Sequence, residues 1–228
     1  MKRLGLLGGI SWTSTVDYYR YINEGINARL GGLNFAECIV YSLNFNDFQR
    51  NNTGGNWDES RRLLQEACKR LEAAGAEGIV LCANTAHAVA DQLVLGVPLI
   101  HIVPATAAAI RGEGLKKVGL LGTKFTMEMS FYLDGLKAQG IDAFVPESQT
   151  DRDYIQQTLK EELGRGIIRE ETKSRYLAII DGLIKKGAEG IILGCTEIPL
   201  LLSQQDVSVP VFDTTRIHSE AAIRFSVE

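Results

Sequence analysis

The chain writes one α/β plan twice, and this internal repeat restricts it to folds built from two similar halves. Residues 2–9, KRLGLLGG, return as KKVGLLGT at 116–123, a shift of 114. GAEGIVLCANT at 75–85 returns as GAEGIILGCTE at 187–197, and VPLIH at 97–101 returns as VPVFD at 209–213, both shifted by 112. A single match of this kind would carry little weight, because short apolar runs behind glycine are common in α/β proteins. Three in the same order and at nearly equal spacing mark a duplication. Each block is a short β-rich run that ends in Gly, Thr, Cys, Asn or Asp and is followed by helical spacing, which is a parallel βαβ plan.

The expected fold is therefore α/β: two pseudo-symmetric lobes, each with a parallel four-stranded sheet flanked by helices. The lobes are expected at 1–98 plus 212–228 and at 99–211. Predicted strands lie near 3–7, 37–42, 78–82, 98–101, 117–121, 143–145, 190–194 and 209–212. Helical periodicity covers 57–74, 149–163 and 170–186, and also 14–30, where Tyr19, Ile22, Ile26 and Leu30 recur at about 3.6 residues, with Ser11 or Thr13 as N-cap. Segment 42–58, rich in Asn and Gly, reads as one long loop, a candidate lid or an interaction loop. Open parallel sheets bind ligands beyond the carboxyl ends of their strands, so the duplication predicts an active site in the inter-lobe cleft with two matching faces.

Composition narrows the function classes. Lys plus Arg total 24 against 28 Asp plus Glu, a net charge of −4, and no basic run interleaved with aromatics offers a footprint for nucleic acid. No segment is long and apolar enough to span a membrane. Cys38, Cys68, Cys82 and Cys195 form no CxxC pair, and the three histidines have no zinc-type spacing. Reduced thiols, a cytoplasmic location and no metal are the corresponding expectations.

GLLGGIS at 5–11, ANTAH at 83–87, LLGTKFT at 120–126 and GCTE at 194–197 resemble the aspartate/glutamate racemases that use no pyridoxal phosphate. LLGGISWTST at 6–15 and RLGGL at 29–33 are similar to the broad-specificity amino-acid branch of that family. The likeness runs over nearly the whole chain. It implies a cofactor-independent isomerase acting on a small amino acid, one catalytic cysteine per lobe, a C-terminal helix packed on the first lobe, and a homodimer. Racemisation moves the Cα proton between faces and so needs a base on one side and an acid on the other. A thiol at the start of a helix is suited to both states, because backbone N–H groups and the helix dipole favour the thiolate there.

The aligned repeats place Cys82 against Gly194 and Ala83 against Cys195. The family's first cysteine directly precedes "NT", and here that position is Ala83. Cys195 is thus the main catalytic candidate and Cys82 the second; strand alternation aims Cys82 away from the cleft unless a bulge turns it back. Gly9, Ser11, Asn84, Thr85 and Thr196 are candidates for gripping the substrate, and Thr123 and Thr126 resemble the family's carboxylate-binding turn of the second lobe. Arg50 is a candidate partner for a side-chain carboxylate. Glu197 reads either as an ammonium ligand or as a complement to its own helix dipole, and His87 and His101 either as acid–base groups or as structural hydrogen-bonding residues. A racemase is the leading reading. A single-cysteine decarboxylase or isomerase of the same superfamily and a non-catalytic amino-acid-binding protein stay open beside it.

Overall fold

A computed structural model describes residues 1–228. The chain forms two compact units, Met1–Ile102 with Thr215–Glu228, and Val103–Thr214. The first contains β1 (Leu4–Gly8), α1 (Trp12–Leu30), β2 (Cys38–Ser42), α2 (Phe45–Thr53), α3 (Trp57–Ala73), β3 (Gly78–Leu81), a 3₁₀ segment (Thr85–Gln92) and β4 (Leu99–Ile100). Helix α4 (Ile102–Gly112) leads into the second unit, which holds β5 (Lys117–Gly122), α5 (Lys124–Glu128), α6 (Ser130–Ala138), β6 (Asp142–Phe144), α7 (Gln149–Glu161), α8 (Glu170–Lys185), β7 (Gly190–Gly194) and β8 (Val211–Asp213). Helix α9 (Thr214–Val227) returns the chain to the first unit.

The two sheets repeat one topology. All strands are parallel, in the orders β2-β1-β3-β4 and β6-β5-β7-β8, and Leu4 pairs with Gly78 as Val118 pairs with Gly190. The unit boundaries differ from the expected 98/99 and 211/212. Strand β4 pairs with β3 and so keeps 99–102 in the first unit, while β8 pairs with β7 and keeps 212–214 in the second.

In the first unit both sheet faces are covered. Ile79, Leu81 and Ala83 enter one apolar core with Leu64, Cys68 and Leu71 of α3 and with Val89 of the 3₁₀ segment. Val80 and Cys82 enter the other, with Tyr18, Ile22 and Ile26 of α1 and Ala222 and Ile223 of α9. In the second unit Ile191 and Leu193 lie in a core with Ile179, Ile180 and Leu183 of α8, and Cys195 packs against the same core. Cys195 and Ala83 therefore occupy equivalent places, each continuing the side-chain row of its strand on the same relative face.

Two local expectations change. The apolar row of α1 that is buried is Tyr18, Ile22 and Ile26; Tyr19 and Leu30 are 51% and 47% exposed. Ile22 and Ile26 are buried as expected, but the stripe continues through Tyr18, at i, i+4 and i+8, which reaches a buried polar partner, while Tyr19 and Leu30 stay at the surface. Segment 42–58 is not a lid loop, because α2 occupies its centre. Asn44 caps that helix by accepting from the Asn46 N–H at 3.3 Å, Phe48 is buried, and Asn52 accepts from the Ser60 hydroxyl at 2.6 Å. A single aromatic anchor and an internal polar bond leave no apolar period to read.

All three histidines of the chain meet in the first unit. The His87 ring centroid lies 4.6 Å from that of His101 and 5.3 Å from that of His218. His218 Nε2 donates to the Ile100 carbonyl at 2.6 Å, which leaves Nδ1 to accept from the Tyr18 hydroxyl at 2.8 Å. Burial holds the His87 and His101 imidazoles below their ordinary range, His87 well below it, and brings His218 down to about 4. Depressed values mean that the unfolded chain binds more protons than the folded one once the pH drops below about 6.5. The stability these neutral rings provide is complete above that pH and is lost as the pH falls toward the folded values, by up to about 1.4 kcal/mol per pH unit for each histidine. Urea unfolding at pH 7, 6 and 5 is expected to show the midpoint dropping steeply, and replacing His218 with Asn is expected to flatten that drop.

Candidate active site

Each unit presents two turns at the carboxyl ends of its adjacent central strands. In the first unit these are the β1–α1 loop, with Gly9 and Ser11, and the Ala83–Thr85 turn after β3. Gly9 has φ +85, and its N–H donates to the Thr15 hydroxyl at 2.8 Å; a Cβ there would lie 2.2 Å from the Leu43 carbonyl oxygen, so only glycine fits. The Ser14 hydroxyl bridges the two turns, lying 2.9 Å from the Ser11 carbonyl and 3.1 Å from the Cys82 carbonyl. The Ser11 hydroxyl pairs with that of Thr13 at 2.6 Å and makes no side-chain cap on α1. Asn84 is buried, and Thr85 opens the 3₁₀ segment.

In the second unit the turns are Thr123–Thr126 after β5 and Cys195–Glu197 after β7. The Thr123 hydroxyl accepts from the Thr126 N–H at 3.2 Å and lies 3.1 Å from the Thr126 hydroxyl. Thr126 is fully buried against Gly122, where an added Cβ would stand 3.1 Å from Thr126 Cβ. The half-buried Cys195 thiol donates to Glu197 Oε2 at 2.8 Å, and the Thr196 hydroxyl donates to the same oxygen at 2.8 Å.

Sequence reasoning missed the contact that Glu197 makes with the thiol. Its carboxylate is a proton acceptor already engaged with the thiol, rather than a helix-dipole partner. Two letters separate it from Cys195, but that spacing alone does not reveal which way its side chain turns.

The expectation of a helix-stabilised thiolate is overturned. Both turns lead into 3₁₀ segments, and the one after Cys195 is only Ile198–Leu200, so the thiol does not open an α-helix of its own. Burial, the negative charge of Glu197 and the hydrogen bond to it raise the Cys195 thiol well above its ordinary range, outweighing the backbone N–H groups of Glu197 and Thr196, which act to lower it. At neutral pH the sulfur is a protonated acid hydrogen-bonded to a base.

Cys82 is a correction of a different kind. It is fully buried among Leu4, Leu6, Tyr18 and Val80, on the face opposite to Ala83, and burial raises its thiol. No bulge turns it back, which removes it from the acid–base candidates. At the matching position in the second unit a Cβ on Gly194 would lie 2.9 Å from Leu120 Cδ1 and 2.9 Å from the Leu121 carbonyl oxygen, so that site has no room for a thiol. Arg50 sits on α2 at 72% side-chain exposure and 3.5 Å from Asp47, with no bond to the other first-unit candidates. His87 donates from Nδ1 to the Ala83 carbonyl at 3.0 Å and accepts at Nε2 from the Ile102 N–H at 3.3 Å, so both of its nitrogens serve the backbone. No group of three or more His, Cys, Asp or Glu side chains is arranged to hold a metal ion, and no helix is long and apolar enough to cross a membrane.

The Asp/Glu/hydantoin racemase family profile matches residues 7–222. The broad-specificity amino-acid racemase RacX of Bacillus subtilis is 25% identical over 171 residues, covering 73% of this chain and 72% of that protein. A glutamate racemase from Sulfurihydrogenibium sp. is 33% identical over 141 residues, which cover 55% of this chain and 48% of its own length. Among solved structures, a Yersinia pestis protein described as a candidate Asp/Glu racemase is 47% identical with a TM-score of 0.94, and both chains are covered in full. An aspartate racemase homologue from Pyrococcus horikoshii OT3 is 38% identical with a TM-score of 0.87, again over 100% of each chain.

The protonation states can be read by peptide-mapped iodoacetamide labelling. Alkylation of Cys195 is expected to be slow at pH 7 and to climb about tenfold per pH unit from there to pH 9 without a plateau, while Cys82 stays unlabelled until the protein unfolds. A plateau for Cys195 below pH 8 would mean that the thiolate already dominates.

Proposed function

The chain belongs to the Asp/Glu/hydantoin racemase family, and on that premise we propose that it is a pyridoxal-phosphate-independent racemase of a small amino acid, with Cys195 moving the Cα proton on one face. The observation that carries the reading is the Cys195 thiol at the end of β7 donating to Glu197. Glu197 takes the thiol proton; the resulting thiolate removes the Cα–H, and the electron pair left on carbon delocalises into the substrate carboxylate. A strand-end turn holds that carboxylate with its backbone N–H groups and hydroxyls, and Ser11, Asn84, Thr85, Thr123 and Thr196 are the candidates. Reprotonation from the same sulfur regenerates the starting enantiomer, and protonation on the other face inverts it.

The other face has no thiol, because Ala83 stands where the second cysteine would be and Cys82 lies in the core. A bound water or a neighbouring polar group then supplies that proton. Such a donor is a much weaker acid than a thiol, so inversion lags behind exchange of the Cα proton at the sulfur face.

Proton NMR in heavy water, with each enantiomer of aspartate, glutamate and neutral amino acids, tests the scheme. One enantiomer of the substrate is expected to exchange its Cα proton faster than it inverts. Cys195→Ala is expected to abolish exchange, and Ala83→Cys to raise the inversion rate by about 10²-fold or more, the range of a positioned acid–base group. Undiminished exchange in Cys195→Ala would sink the assignment.

A decarboxylase is favoured by one observation: a single protonated thiol suffices to protonate an enediolate on one face. Carbon dioxide release from a substituted malonate, with no Cα exchange of amino acids, would establish that reading instead. The cytoplasmic location and the homodimer implied by the family likeness belong to the proposal as well, and sedimentation velocity of the purified protein checks the second.

A further inference from the structure

His87 joins two backbone points that matter for the first unit. Its Nδ1–H donates to the carbonyl of Ala83, the first residue of the turn that continues through Asn84 and Thr85. Its Nε2 accepts from the N–H of Ile102, the last residue of the unit before the chain leaves it. A donor on one side and an acceptor on the other is what a neutral imidazole offers; an imidazolium has two donors and would set an N–H against the Ile102 N–H. The second unit has Pro199 at the matching position and does without such a bridge.

We propose that neutral His87 is the positioning residue of the Ala83–Thr85 turn: it fixes the Ala83 carbonyl and so sets the direction in which the Asn84 and Thr85 N–H groups meet the substrate carboxylate. The assignment rests on the reading of that turn as carboxylate-binding. It gives His87 a role in substrate capture rather than in proton transfer, since neither nitrogen reaches out of the backbone bridge. The ring is 2% exposed, and the titratable groups facing it are His101 and His218. His218 is itself held by Tyr18 and Ile100, and Asp91 stands 3.8 Å from His101. Burial first, and the neighbouring imidazoles second, disfavour a proton on His87 and keep the bridge in its neutral form.

Nitrogen-15 NMR of the histidine-labelled wild-type protein tests the tautomer without any variant. His87 is expected neutral and protonated at Nδ1 from about pH 8 to about pH 5.5; an Nε2–H tautomer or titration near the free-imidazole value overturns the proposal. Two substitutions then test the consequence. His87→Phe removes both bonds, and His87→Gln keeps a donor and an acceptor but cannot be protonated. His87→Phe is expected to move the Asn84 and Thr85 amide signals and to raise KM at least about tenfold, with kcat within about threefold. His87→Gln is expected to recover both the amide positions and most of the KM. Equal effects of the two substitutions, or a loss confined to kcat, would refute the role. If no amino acid exchanges its Cα proton, the racemase reading fails separately, and the tautomer and amide shifts still decide the bridge.

Discussion

A central parallel strand covered on both faces leaves no neutral direction for a side chain, and the rest of this protein is arranged around that constraint. On β3 the residues alternate between the core under α3 and the core under α1 and α9, from Ile79 through Ala83. One step along the strand is therefore a change of compartment. The thiol at Cys82 falls on the α1 side and becomes a packing atom. One residue later in the matching strand, the thiol at Cys195 falls on the other side, at the open end of the sheet. Gly194 enforces this placement, because its neighbours leave no space for a Cβ.

Electrostatics then decides what the exposed thiol can do. A sulfur beside the tip of a long helix would rest as thiolate, whereas Cys195 precedes a single 3₁₀ turn and faces a carboxylate. Partial burial and the adjacent negative charge both oppose a second negative charge on sulfur. The same carboxylate gives the proton somewhere to go, so the pair stores an acid and a base in contact. The first unit has no such pair. Its turn is organised by neutral groups, with Ser14 bridging to the β1–α1 loop and His87 bridging to the Ile102 N–H.

Much of this was legible before the structure. The glycine-headed repeats and their apolar runs encode the central strands, and period two predicts that Cys82 and Ala83 face opposite ways. What escaped was carried by contacts rather than by pattern. Helix α2 buries one apolar residue, Phe48, leaves Phe45 exposed and is otherwise polar, with an internal bond between Asn52 and Ser60, so no periodicity marks it. The periodicity of α1 points to Tyr19 rather than Tyr18, because the Tyr18 hydroxyl finds its partner at His218, two hundred residues away.

By itself, the sequence determined the duplicated α/β plan, the strand order's repeat unit, the residue that stands in place of the first cysteine, and the likeness to the Asp/Glu racemases. These depend on local alternation and on residue identity, which are written in the chain. The tertiary structure alone decided that Cys195 rests protonated, that Glu197 turns toward it, that Cys82 is core, and that three distant histidines share one buried cluster. Protonation and hydrogen bonding depend on which groups meet and how much water is left between them, and only the folded chain brings those groups together.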